Sequence, residues 1–221
     1  MWRIRPRTAV APHDVADRNT GAPRHWLRAA VAAFIILGAC FDTVVADPQV
    51  IPSTDMAQSD PVARIAERLL ECSTSLREND RWQLAMIIDE ESQQQGYDPL
   101  FATALMMVES GCSATARSPR GGVGLLQIRP ETARQVARDA DLPWNGAHTL
   151  IHPEVNVRLG LEYLAQLEER FNDPLIAVAA YNMGPERVAR MHPRRARGTS
   201  YVRKVLGRYE ALVARDNSEW F

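Results

Sequence analysis

One glutamate closes an apolar run and opens a glycine-rich turn. Before Glu109, Leu100 to Val108 carries Phe101, Ala104, Leu105 and Val108 at three- and four-residue steps, the period of a helix with one buried stripe. Glu109 stands four residues after Leu105, beside that stripe. Apolar neighbours disfavour a charged carboxylate, and so does the partial negative charge of a helix C-terminus. Both effects keep a carboxylic acid protonated towards neutral pH, as a general acid requires. A glutamate at a helix end is more often a frayed surface residue. The residues that follow change the weighing. Gly121, Gly122 and Gly124 permit close backbone approach, and Gln127 offers an acceptor and two donors.

The elements that must hold this stretch read as helices. Asp60-Pro61, Asp98-Pro99 and Asp173-Pro174 each pair a capping carboxylate with proline at the first helical position. The first helix is expected to bury Val62, Ile65, Leu69, Cys72 and Leu76 on one face. A second begins after Asp80, turns Trp82, Ala85, Met86 and Ile88 or Asp89 inward, and stops at Gly96. A short helix runs from Pro130 to about Ala140, and a loop covers Asp141 to Ile151. Pro153 opens a long helix with Val157, Leu161, Leu164 and Leu167 in line. Leu175 to Tyr181 is almost wholly apolar, the pattern of a central core helix. Gly184-Pro185 breaks it, and a short helix reaches Met191. His192 to Ser200 reads as a basic loop, and Tyr201 to Arg215 as the last helix. No stretch reads as a strong strand. The expected fold is mainly α, with at most a short hairpin around the glycine turn.

Composition bounds the function class. With 46% apolar and 24% charged residues, the 221-residue chain is globular, with room for one domain and appendages. A net charge of −1 argues against nucleic acid or an anionic surface as the main partner. Residues 1–46 resemble an export address: arginines precede an uncharged run, Ala29 to Phe41, and Val44-Val45-Ala46 offers a cleavage site before Asp47. Leu37-Gly38-Ala39-Cys40 also resembles a bacterial lipobox, in which Cys40 would carry lipid. Residues 47–60 read as a flexible tether and 61–221 as the folded domain. Either form of processing leaves Cys72 and Cys112 in an oxidising compartment, as a disulfide or as two buried thiols.

Several motifs, in order, carry a resemblance. They are Glu109-Ser110, Ser118-Pro119-x-Gly121, and Gly124-Leu125-x-Gln127-Ile128-x-Pro130-x-Thr132-Ala133. Further on come Pro153-Glu154-x-Asn156-x-x-x-Gly160-x-x-Tyr163-Leu164, Ala179-Ala180-Tyr181-Asn182-x-Gly184-Pro185 and Tyr201-Val202-x-Lys204-Val205-Leu206. From Leu100 to Leu206 the chain resembles the catalytic domain of the soluble lytic transglycosylase family. The family often has Met where this chain has Leu126 and Arg129, and an aromatic-Asn-Pro run where it has Gly111-Cys112-Ser113. The resemblance implies a lysozyme-like α fold. It also implies cleavage of the β-1,4 bond between N-acetylmuramic acid and N-acetylglucosamine, leaving a 1,6-anhydro sugar. Glu109 would be acid and then base, with Ser118, Gln127, Tyr181, Asn182 and Tyr201 against the substrate, and Tyr181 and Asn182 against Glu109 as well. No cofactor is implied, and the partner is the peptidoglycan glycan strand in the periplasm.

Other readings stay open beside it. Tyr181 and Asn182 suit ordinary packing and capping, and Ser118 an ordinary turn. Neither Ser110 nor Ser118 lies in a Gly-x-Ser-x-Gly elbow. His148 and His152 stand four apart, but Pro153 follows and no HExxH pattern exists, so no metal site is expected. The arginines from Arg187 to Arg208 could meet acidic peptide stems or form a solvated face. The alternatives to a lyase are a lysozyme-type hydrolase and a non-enzymatic wall-binding part of an envelope machine.

Overall fold

A computed structural model describes residues 2–3, 60–72, 74 and 76–218. The leader, tether and Cys40 readings fall outside these residues, apart from Trp2, Arg3 and Asp60. The described chain is helical: α1 (Pro61–Arg68), α2 (Glu78–Gln95), α3 (Pro99–Ser110), α4 (Pro130–Asp139), α5 (Pro153–Phe171), α6 (Pro174–Met183), α7 (Pro185–Ala189), α8 (Pro193–Arg197) and α9 (Ser200–Ser218). Isolated bridges Arg117–Val123 and Val123–Ile128 are the only β pairing within the domain's glycine turn. Among the described residues, no helix is long and apolar enough to cross a membrane.

The Asp-Pro pairs start helices as their chemistry requires. Asp60, Asp98 and Asp173 accept hydrogen bonds from the backbone N–H of Val62 (2.9 Å), Leu100 (2.9 Å) and Leu175 (3.0 Å). Each cap contributes about 1 kcal/mol by satisfying an orphan donor. Gly96 and Gly111 end α2 and α3 in the left-handed conformation.

Helix α3 lies at the centre. It packs against α9, α2 and α1, while α5 packs against α2, α4 and α6. Phe101, Leu105, Leu126, Leu161, Val178, Ala180 and Val205 belong to the main core. A smaller cluster around Val123, Ile128, Val136, Leu150 and Leu159 sits under the glycine turn. Trp2 stacks on Phe101 with ring centroids 4.8 Å apart, and Arg3 pairs with Glu168. Reading this segment as a leader does not anticipate those contacts.

Several elements differ from the sequence reading. Helix α1 ends at Arg68, a 3-10 turn covers Leu69–Glu71, and Cys72 is extended. Cys72 therefore leaves the helical face and bonds to Cys112, with Cα atoms 5.7 Å apart. Helix α2 starts at Glu78, earlier than expected, and its inner face is Leu84, Ala85, Ile88, Glu91 and Ser92. Trp82 and Met86 are exposed, at 39% and 52%. Glu91 takes the inner position because Arg158 of α5 reaches it at 2.6 Å. The expected loop from His192 to Ser200 contains α8, capped by His192 Nδ1 and tied down by Arg197 on Asp173. The loop before α5 likewise holds a 3-10 turn, Ala147–Ile151.

Candidate active site

Glu109 occupies the last turn of α3 and is half-buried. Its Oε1 accepts a hydrogen bond from the Tyr201 hydroxyl on α9. Burial pushes the carboxyl up from 4.5 to about 7, against the opposing pull of the Tyr201 bond and the Lys204 ammonium. Burial and the neighbouring Glu109 push the Tyr201 hydroxyl well above its ordinary value, so it stays a donor.

Facing Glu109 is the glycine turn, which is held from below. The buried Asn156 of α5 clamps it with three bonds: Leu126 N–H donates to Oδ1 (2.7 Å), while Nδ2 donates to the carbonyls of Val123 (2.9 Å) and Leu150 (2.8 Å). Gly124 has φ +78°, and a Cβ there would meet Asn156 Nδ2 at 2.3 Å, so the close clamp needs glycine. Gly160 of α5 is needed for another close approach, since a Cβ would lie 2.5 Å from Leu126 Cδ1. The Tyr181 hydroxyl donates to Leu126 O at 2.8 Å and fixes the turn from α6.

Turn and helices enclose a cleft of about 980 Å³. Glu109, Ser118, Gln127, Tyr181 and Asn182 all line it. Tyr201 does not, and reaches Glu109 without lining the cleft. Ser118 Oγ accepts from Gly122 N–H at 3.0 Å, closing the turn. Gln127 Nε2 donates to the carbonyls of Gly124 (2.8 Å) and Ala116 (3.2 Å), so its amide nitrogen serves the turn and its oxygen remains for a ligand. The resemblance puts Tyr181 against Glu109, but the hydroxyl that bonds Glu109 is that of Tyr201. Sequence reasoning gave no site role to Tyr163, Thr132, Arg120 and Arg129, which also line the cleft. Tyr163 packs on Tyr181 with centroids 5.3 Å apart, and its place in the Gly160-x-x-Tyr163 motif was the available signal. Among the described residues, no cluster of His, Cys, Asp and Glu could hold a metal ion. Glu109 is the sole carboxyl among the cleft-lining residues. The site therefore offers one proton-transfer group, fixed polar groups, and aromatic and apolar walls.

Residues 86–203 match the profile of the Transglycosylase SLT domain. The soluble lytic murein transglycosylase of Salmonella typhimurium is 38% identical over 90 residues, which is 40% of this chain and 14% of that protein. The endo-type membrane-bound lytic murein transglycosylase A of Klebsiella pneumoniae is 38% identical over 87 residues, 38% of this chain and 40% of that protein. The fold resembles the 70-kDa soluble lytic transglycosylase of Escherichia coli, with a TM-score of 0.53 and 23% identity over 72% of this chain and 31% of that one. The chain thus spans a small part of these relatives' length.

Proposed function

Because this chain belongs to the transglycosylase SLT domain family, we propose that it cleaves the β-1,4 bond between N-acetylmuramic acid and N-acetylglucosamine in peptidoglycan, as a lyase. The observation that carries the reading is the solitary carboxyl of the cleft, protonated up to about pH 7. Hydrolysing glycosidases ordinarily place two carboxylates across the bond, roughly 5–9.5 Å apart. Glu109 is the only carboxyl that lines this cleft, so the second role falls to the substrate.

The steps follow from that shortage. Glu109 gives its proton to the bridging oxygen, which departs with the bonding electrons. The acetamido oxygen of the muramic acid attacks the anomeric carbon and forms an oxazolinium-like intermediate. Glu109, now a carboxylate, takes the proton of the C6 hydroxyl. The C6 oxygen displaces the acetamido oxygen and closes the 1,6-anhydro ring. No water enters, and Glu109 ends protonated. Tyr201 stabilises the carboxylate between the two transfers. Ser118, Asn182 and the Gln127 carbonyl meet the sugar's polar groups, and Tyr163 and Tyr181 wall the ring.

A peptidoglycan substrate supports export from the cytoplasm. The arginine-flanked run Ala29 to Phe41 supplies an address, with maturation at Asp47 or at a lipidated Cys40, and either cut releases Trp2 and Arg3 from Phe101 and Glu168. The Cys72–Cys112 bond suits an oxidising compartment. N-terminal sequencing of the secreted form distinguishes the two starts, and a cytoplasmic chain keeping Met1 refutes export. For the activity, mass spectrometry of muropeptides released from sacculi is the test. Anhydro ends from wild type and none from Glu109→Gln support the reading. Reducing ends from wild type would move it to a hydrolase.

A further inference from the structure

Three arginines that bond cleavage does not require line the cleft. Arg120, Arg129 and Arg187 line it, against one carboxyl, Glu109. The chain as a whole is balanced at −1, so this is a local concentration of positive charge and not a reflection of a basic protein. The arginines come from separate elements: Arg120 from the glycine turn, Arg129 from the entry to α4, and Arg187 from α7. Among the described residues, no carboxylate pairs with Arg120 or Arg187, while Arg129 pairs with Glu131 on the exposed rim. Exposed pairs of that kind hold weakly, so Arg129 can exchange Glu131 for a ligand at small cost. Arg129 also stands where the resembling family often has Met, in the stretch that ends the glycine turn.

The acetylated sugars of a glycan strand carry no charge for these side chains to meet. Carboxylates enter the polymer through the peptide stems on the lactyl groups. We infer that Arg120, Arg129 and Arg187 bind stem carboxylates, so that the cleft selects peptide-bearing strands over strands stripped of their stems. Guanidinium groups suit this task because their fork matches a carboxylate. The inference rests on the lyase reading above and adds a substrate class to it.

Removing stems with an amidase leaves one carboxylate on each lactyl group, so a third substrate is needed to separate the sources. The test compares kcat/KM on strands with native stems, on strands whose stem carboxylates are converted to methylamides, and on strands without stems. The native strands should be preferred by about tenfold over both others, as expected of a few partly exposed ion pairs acting together. The preference should shrink at high salt. The triple substitution Arg120→Gln, Arg129→Gln, Arg187→Gln should bring the three rates close to one another. All three side chains are exposed, so the fold should survive, and circular dichroism checks it. Affinities of Glu109→Gln for the same strands should give the same order without cleavage. Equal rates on native and methylamide stems overturn the inference while leaving the lyase intact. Equal rates on native and stripped strands assign the arginines to the lactyl carboxylate and also overturn it. Cleavage of none of the three removes the lyase reading and the inference with it.

Discussion

Two carboxyls on neighbouring helices meet burial in different ways. Glu109 on α3 faces a cleft and receives one neutral hydroxyl, from Tyr201. Glu91 on α2 is 1% exposed, and Arg158 bonds one of its oxygens through two nitrogens, at 2.6 and 2.9 Å. Burial pushes both carboxyls up, and in Glu91 the guanidinium opposes it. Its second oxygen, Oε2, is buried without a hydrogen bond among the described residues. The difference lies in what could take each proton. Glu91 is locked to a cation and does not line the cleft, which makes it a fixed part of the α2–α5 packing. Glu109 keeps a proton that it can deliver, because its partner is a hydroxyl and its open side faces 980 Å³ of space.

The comparison can be broken most forcefully at Glu109. Glu109→Gln should lose at least the roughly 10²–10⁴-fold typical of general acid–base catalysis, since in the proposed lyase one group serves both transfers. It should nevertheless stay folded. A buried acid with a folded pKa of about 7 and an ordinary value of 4.5 binds its proton more tightly when folded. Its contribution to stability is complete below the ordinary value and is lost as pH rises through about 7. Glu109→Gln removes that pH-dependent loss. The variant should therefore melt above wild type at alkaline pH, with a smaller gap in acid. A melting curve that falls at alkaline pH would contradict this.

At Glu91 the informative change is to remove its partner. Arg158→Ala leaves a buried carboxylate without its cation, an arrangement that costs about 3–5 kcal/mol. Urea unfolding should show that loss, while activity per folded molecule changes little. A Glu91→Gln, Arg158→Met pair should recover part of it. If Arg158→Ala is as stable as wild type, Glu91 is not the locked partner described.

Gly160→Ala tests the scaffold between the two sites. Its new Cβ meets Leu126 Cδ1 at 2.5 Å and the Tyr181 hydroxyl at 3.1 Å. Overpacking of this kind costs about 1–3 kcal/mol and should displace the glycine turn. Loss of both melting temperature and kcat is expected, and an unchanged kcat would mean that the turn does not position substrate. The smallest effect is expected from Tyr201→Phe. The hydroxyl lowers the Glu109 pKa, so its removal should shift the alkaline limb of the kcat–pH profile upward, with a modest change at the optimum. A downward shift would contradict the assignment.

Local chemistry made much of this legible. Asp98-Pro99 and Gly111 bound α3 because capping and left-handed turns are decided by a few adjacent residues. Glu109 beside an apolar stripe announced its raised pKa for the same reason. What was hidden depends on partners far along the chain. The inner face of α2 departs from the sequence pattern because Glu91 is buried against Arg158, 67 positions away. Trp82 and Met86 have the more apolar side chains, yet the helix turns them outward. The clamp by Asn156 joins Leu126 across 30 positions, and no local pattern announces it. Helix α8 is not legible locally, because Arg194, Arg195 and Arg197 look like loop charge until His192 caps the turn and Asp173 anchors it.

The account's central claim is that one carboxyl serves both proton transfers and that water takes no part. Cleavage of purified sacculi in water labelled with heavy oxygen tests it most directly, with the products weighed by mass spectrometry. The account predicts anhydro muropeptides without label at the new ends. Heavy oxygen at the anomeric carbon of the new ends would contradict it.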